Sequence, residues 1–268
     1  MEEISETLEG LDRPLVDLDV TPGGQVFAIT EKGKGKEAKG QRIFVNGQPL
    51  PVPVPINHPV LRALDETRLL VADSRTREKT NAWILRTTGE VEDTFWIGEE
   101  IEDIIPLQNW LAVAYFDQAY ATQFDGVVLF NPAGEAVFRH NEANPDTDTV
   151  VDCYCACRAG RDQVLFLGYP DFPVILLDAV TRQETIWKAP SEVRGASAVT
   201  MAGGIAFFHG NYQDGPGIYR WRLGDRKAER IGEHTGRLRG LSGGRFLHLR
   251  TAGYTSVSLT DEVRGSER

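Results

Sequence analysis

Six apolar runs recur along this chain at a nearly constant period, and no other feature restricts the fold as strongly. They are Val26-Phe27-Ala28-Ile29, Leu69-Leu70-Val71-Ala72, Leu111-Ala112-Val113-Ala114, Val164-Leu165-Phe166-Leu167, Ile205-Ala206-Phe207-Phe208 and Phe246-Leu247-His248-Leu249. Their starts are 43, 42, 53, 41 and 41 residues apart. A period of about 40–45 residues carrying four short strands is that of propeller blades. The polar insert Asn141 to Thr149 accounts for the one long interval.

Each run is followed by a polar loop and a second apolar strand, beginning at Ile43, Trp83, Val127, Val174, Ile218 and Val257. Turn residues come next: Asn46-Gly47, Thr88-Gly89, Ala133-Gly134, Thr181-Arg182, Gly224-Asp225 and Thr260-Asp261. Tight hairpins favour Gly, Asn and Asp because these adopt positive φ at little cost. A further strand follows five of the six turns, for example Thr94-Phe95-Trp96-Ile97 and Thr185-Ile186-Trp187. The sixth repeat runs out after Thr260, while Ile4 to Leu8 is a strand-length piece left over at the other end. The expectation is an all-β chain folded as a six-bladed β-propeller of four-stranded antiparallel blades. The N-terminal strand completes the last blade and closes it, so no sheet edge is left bare. Residues 1–268 then form a single β-propeller domain.

The formal charge of −10 argues against nonspecific nucleic-acid binding, which needs clustered Lys and Arg. It favours a basic protein or a cation as partner, besides serving solubility. The opening Met1-Glu2-Glu3-Ile4-Ser5-Glu6 lacks the basic and apolar regions of a signal peptide. No apolar run approaches the roughly 20 residues that span a bilayer. The chain reads as cytoplasmic, with no membrane partner.

Several motifs fit a chemistry only by pattern. Gly240-Leu241-Ser242-Gly243-Gly244 matches the serine-hydrolase elbow, but it lies between two strands and aligns with Met201-Ala202-Gly203-Gly204. Gly33-Lys34-Gly35-Lys36-Glu37-Ala38 resembles a dinucleotide loop without the βαβ unit it requires. Asp146, Asp148 and Asp152 alternate, yet the glycine and final glutamate of a calcium loop are missing. Cys153, Cys155 and Cys157 alternate along one strand and are expected on one face. There they could form a soft-metal site, but they read better as small buried hydrophobes. No metal site and no catalytic residues are assigned.

In a propeller, the start of each first strand and the loop after each second strand share one face. That face is expected to gather Asp17, Asp103 and Asp152 with Asp73, Asp117, Tyr169, Asp171 and His209, at the loop-rich mouth of a central channel. Aromatic residues in or beside these loops are Tyr115, Phe116, Tyr120, Phe124, Tyr169, Phe172 and Tyr212. Tyr154 stands beside Asp152 on the same strand.

Trp110-Leu111-Ala112-Val113-Ala114-Tyr115-Phe116-Asp117, then Asp125-Gly126, Asp152-Cys153-Tyr154 and Asp171-Phe172-Pro173, resemble a family of bacterial WD40-like β-propeller proteins. Its motifs are Tyr-Phe-Asp and Asp-Phe-Pro. The likeness continues through Gly195-Ala196-Ser197-Ala198-Val199 and His209-Gly210-Asn211-Tyr212 and covers roughly half the chain. It implies the fold and the same face as a site, and it implies no chemistry.

The candidate ligand-binding set is Tyr115, Phe116, Asp117, Asp152, Tyr154, Tyr169, Asp171, Phe172, His209 and Tyr212. No complete catalytic constellation accompanies it. The first expectation is a noncatalytic binding propeller recognising a protein or a small-molecule ligand at this mouth. The alternative is a hydrolase or lactonase that uses a divalent cation held by the same carboxylates. Outside that alternative no cofactor is expected.

Overall fold

The computed structural model describes residues 1–33, 40–51, 56–76, 78–119, 125–145 and 149–260. Twenty-four strands among them form six four-stranded antiparallel sheets. The first blade is β2 (Leu15–Val20), β3 (Val26–Thr30), β4 (Ile43–Val45) and β5 (Gln48–Leu50). The second is β6 (Pro59–Ala63), β7 (Arg68–Asp73), β8 (Ala82–Arg86) and β9 (Val91–Phe95). The third is β10 (Ile101–Pro106), β11 (Leu111–Tyr115), β12 (Val127–Phe130) and β13 (Ala136–Arg139). The fourth is β14 (Asp152–Arg158), β15 (Gln163–Tyr169), β16 (Pro173–Asp178) and β17 (Glu184–Lys188). The fifth is β18 (Ala198–Ala202), β19 (Ile205–His209), β20 (Gly217–Arg222) and β21 (Glu229–Glu233). In the sixth, β22 (Leu238–Gly240), β23 (Arg245–Arg250) and β24 (Gly253–Ser258) are joined by β1 (Glu2–Thr7), which pairs with β24.

The fold is therefore a six-bladed β-propeller, with the N-terminal strand as the outer strand of the last blade. The six apolar runs are the second strands, and they are almost wholly buried. The turns behave as their residues require. Asn46 and Gly47 both take positive φ, and so do Gly89, Gly134, Gly224 and the non-glycine Arg182. The third strand of the last blade begins at Gly253, not at Val257 as the apolar pattern suggested. The Thr251-Ala252 turn follows β23 directly, so β24 begins as soon as the turn ends. The second blade's outer strand likewise ends at Phe95, and Trp96 and Ile97 lie beyond it.

The chain divides into two compact units. One comprises Met1–Ile4, Ile101–His248 and Thr255–Arg268; the other comprises Ser5–Glu100 and Leu249–Tyr254. In the first, apolar clusters fill the space between adjacent blades. Ile105, Val127, Val150, Phe166 and Ile175 join the third to the fourth. Leu165, Val174, Val199, Phe208 and Trp221 join the fourth to the fifth. In the second unit, Phe27, Ile29, Leu61, Leu69 and Val71 play the same part. Each fully buried side chain of this size contributes about 1.5–3 kcal/mol.

Three first strands carry a β-bulge near their start, where the register shifts between Leu15 and Asp17, Ile101 and Asp103, and Cys153 and Cys155. A bulge adds one residue to one strand and turns the following side chains to the other face. This corrects the cysteine expectation. Cys153 packs with Ala156 against the third blade, while Cys155 and Cys157 pack toward the fifth. Tyr154 is the extra residue, so the three thiols do not share a face. All three are buried, and burial pushes their thiols up.

Gly240-Leu241-Ser242-Gly243-Gly244 is the turn between β22 and β23, with Gly243 and Gly244 at positive φ. It has no helix after it and so cannot be a nucleophile elbow. The polar insert folds into a short helix, His140–Ala143. Asn141 pins it, its amide bonding the Val150 carbonyl at 2.9 Å and its side-chain oxygen accepting the Val150 N–H at 2.8 Å. Residues 34–38 of the glycine-lysine loop and Asp146 and Asp148 lie outside the described residues. No helix among the described residues is long and apolar enough to cross a membrane.

Candidate functional site

The site is built where first strands begin and second strands end. In the fourth blade Asp152 of β14 is paired with Tyr169 of β15. The bulge at Tyr154 turns that ring toward Tyr169, and the two stack with centroids 5.7 Å apart and planes 6° from parallel. Phe172, three residues beyond Tyr169, meets both edge-on, at 5.9 Å from each. It holds φ of 56°, costly for a bulky residue, and its carbonyl accepts the Ala189 N–H at 3.0 Å.

The fifth blade adds Tyr212. Its ring meets Tyr154 at 6.1 Å and Phe172 at 5.9 Å, both edge-on, and the Tyr154 and Tyr212 hydroxyls share a hydrogen bond. Neighbouring Asn211 makes the loop rigid. Its side-chain oxygen accepts the N–H groups of Gln213 at 2.8 Å and Asp214 at 2.6 Å, and its amide bonds the Glu192 carbonyl. Beneath Tyr212 lies Gly195, at φ of 74°; a Cβ there would stand 2.7 Å from the ring. Glycine alone lets the ring lie on the backbone.

Four rings from two strands and two loops thus form one continuous patch. Tyr169 is 40% exposed and Tyr212 64% exposed, so the patch faces solvent. Edge-to-face and offset pairs of this kind contribute about 0.5–1.5 kcal/mol each beyond burial.

Carboxylates adjoin the patch. Burial, with some help from Asp117, raises the Asp152 carboxyl from 3.8 to about 6. Among the described residues Asp152 makes no hydrogen bond or ion pair. Glu102, the extra residue of the third blade's bulge, is pushed by burial up to about 7, with Asp103 and Asp152 adding to the rise. Arg237 donates to it at 2.9 Å and partly opposes that shift. Asp117 is exposed and opens a one-turn 3-10 helix, Asp117–Ala119. Asp171 is exposed at the tip of the Tyr169–Phe172 loop.

Other expected members lie elsewhere. Tyr115 is fully buried on β11, and burial raises its hydroxyl well above 10.0. Phe116 follows it, half-buried. His209 is buried too, its Nε2 bonding the His234 carbonyl at 2.9 Å. It packs near His234 and Phe246 rather than among the tyrosines. Tyr120 and Phe124 lie outside the described residues. In the other unit, Asp17 accepts from the Leu61 N–H at 2.8 Å and from Arg62 at 2.7 Å. Asp73 is buried and accepts from the Asn57 and His58 N–H groups at 2.8 and 3.2 Å. Both carboxylates are used in holding chain segments together. Among the described residues no three His, Cys, Asp or Glu side chains stand close enough to share a metal ion.

Sequence reasoning did not single out Glu102, Arg237 or the supporting role of Gly195. The bulge between Ile101 and Asp103 adds Glu102 beside the expected Asp103.

No known protein family matches the chain, and no curated protein matches it either. Solved structures do. Virginiamycin B lyase from Staphylococcus aureus aligns at a TM-score of 0.59 and 11% identity, over 96% of this chain and 99% of that one. The likeness is one of fold. KlAtg21, solved with the coiled-coil of AgAtg16, aligns at 0.60 and 11% identity over 87% and 77% of the two chains. U3-55K aligns at 0.56 and 12% over 95% and 98%. Identities this low carry the propeller architecture and nothing about ligands.

Proposed function

We propose that this chain is a binding propeller whose partner docks on the patch of Tyr154, Tyr169, Phe172 and Tyr212. The observation that carries the reading is the exposure of a stacked, hydrogen-bonded aromatic cluster held by a strained Phe172 backbone and a glycine cleared for Tyr212. A soluble chain leaves such a surface open at a cost in solubility, and rigid tyrosines are favoured anchors of interfaces. The same fold carries a partner's coiled-coil in the KlAtg21 complex, which is consistent with a docking role.

The test is affinity capture from cells producing the native chain, with quantification of what is retained by variants. Tyr169→Ala and Tyr212→Ala each lower retention of the specific partner by about 10- to 100-fold, the usual effect of truncating an interface anchor. Val180→Ser, which removes an exposed apolar side chain in the β16–β17 turn, leaves it unchanged. Equal retention by all three variants would contradict the assignment.

A further inference from the structure

The aromatic patch does not stand in a neutral setting. Asp152 is paired in register with Tyr169, and its charge is felt by the Tyr154 hydroxyl. It is half-buried, has no ion-pair partner among the described residues, and the charges that act on it or feel it include the carboxylates Asp117 and Glu102. Any partner covering Tyr154 and Tyr169 must also cover Asp152. Sealing an unpaired carboxylate under a neutral surface forfeits its remaining hydration, which weakens binding. A cation removes that penalty and adds a charge-assisted hydrogen bond.

The rings favour the same occupant. A tyrosine face is negative at its centre and attracts a guanidinium or ammonium, more strongly when water is excluded. Arg237 pairs with Glu102 at 2.9 Å rather than with Asp152. The net charge of −10 steers a basic surface toward the chain before contact.

We infer that the partner is a protein presenting an arginine or lysine side chain from a basic segment, which lies across the tyrosine faces and pairs with Asp152. This rests on the docking role proposed above and names the chemistry that role selects. Neutral and acidic partners are disfavoured by the cost of sealing Asp152.

The probes are short Gly-Ser peptides that differ at one central residue: arginine, its neutral isostere citrulline, or glutamate. Binding is followed by the NMR shifts of the tyrosine ring protons. The arginine peptide produces saturable shifts at low salt that weaken about tenfold between about 50 and about 500 mM salt, as a screened charge contact must. The citrulline and glutamate peptides produce none. Asp152→Asn weakens the arginine peptide by about fivefold or more, the loss of one partly buried ion pair. Glu90→Gln, the same charge change in the β8–β9 hairpin, has no effect.

Absence of saturable shifts with the arginine peptide overturns the inference, as does equal binding of citrulline or indifference to Asp152→Asn. Neutral-peptide binding that is lost in Tyr169→Ala would overturn the cation alone and leave the docking role intact. Arginine binding that depends on Asp152 but ignores Tyr169→Ala and Tyr212→Ala would overturn the aromatic docking surface itself.

Discussion

At the scale of single residues, Asp152 is a charge kept at the expense of stability. Its folded carboxyl titrates near pH 6, above the ordinary 3.8, because burial disfavours the anion. The folded state therefore takes up a proton more readily than the unfolded chain. Its contribution to stability falls as pH rises from about 4 to about 6, and the full penalty persists above that. Asparagine carries no such penalty. Discounted for its partial exposure, the gain in Asp152→Asn is about 1 kcal/mol, or about 2–4 °C in melting temperature for a chain of this size. The variant is expected to melt higher than the native chain at pH 8, with the gap closing near pH 4. A variant that melts lower across that range would mean that Asp152 holds the fold together. Gly195 and Phe172 tell a similar story in the backbone, since one omits a side chain and the other accepts strain so that two rings can meet.

At the scale of elements, β1 is unusual. All six of its residues are exposed, so it adds pairing to the sheet but almost no apolar burial. What holds it is its pairing with β24 and the close approach at Gly253, where a Cβ would clash with the Glu6 carbonyl oxygen. Gly253→Val should therefore act like removal of residues 1–8. Both lower the melting temperature by several degrees and expose β24 as a bare edge, which favours self-association. Calorimetry and light scattering read the two effects. Unchanged melting in both variants would show that the N-terminal strand is dispensable.

The repeat itself was legible because three local signals coincide in every blade: a buried run, a polar loop, and a turn whose residues tolerate positive φ. The N-terminal strand was legible by counting, since one blade lacked an outer strand. The site was legible only in part. Tyr169, Phe172 and Tyr212 stood out as aromatics in loops, and Asp152 and Tyr154 as strand-start residues. The bulges at Val16, Glu102 and Tyr154 were not, because a one-residue shift leaves no mark in an alternating pattern. That shift separates Cys153 from Cys155 and brings forward Glu102. Tyr115 and His209 lie inside rather than at the surface for a related reason. An aromatic or histidine at the end of a strand can turn inward as easily as outward, and in both cases the core took it.

At the scale of the whole molecule, the two compact units share one fold but differ in what their polar groups do. In the unit of Ser5–Glu100 and Leu249–Tyr254, Asp17, Asp73 and Asn81 are spent on backbone N–H groups and on Arg62. In the unit that holds the third, fourth and fifth blades, an unpaired carboxylate adjoins an open aromatic surface. That contrast is what supports the proposed docking on the third, fourth and fifth blades. Hydroxyl-radical footprinting of the chain, free and bound to its captured partner, tests it most directly. Tyr169, Tyr212 and Trp96 are all exposed aromatics, and Trp96 belongs to the other unit. Partner binding protects Tyr169 and Tyr212 and leaves Trp96 as reactive as before. Protection of Trp96 with Tyr169 and Tyr212 still fully reactive would contradict it.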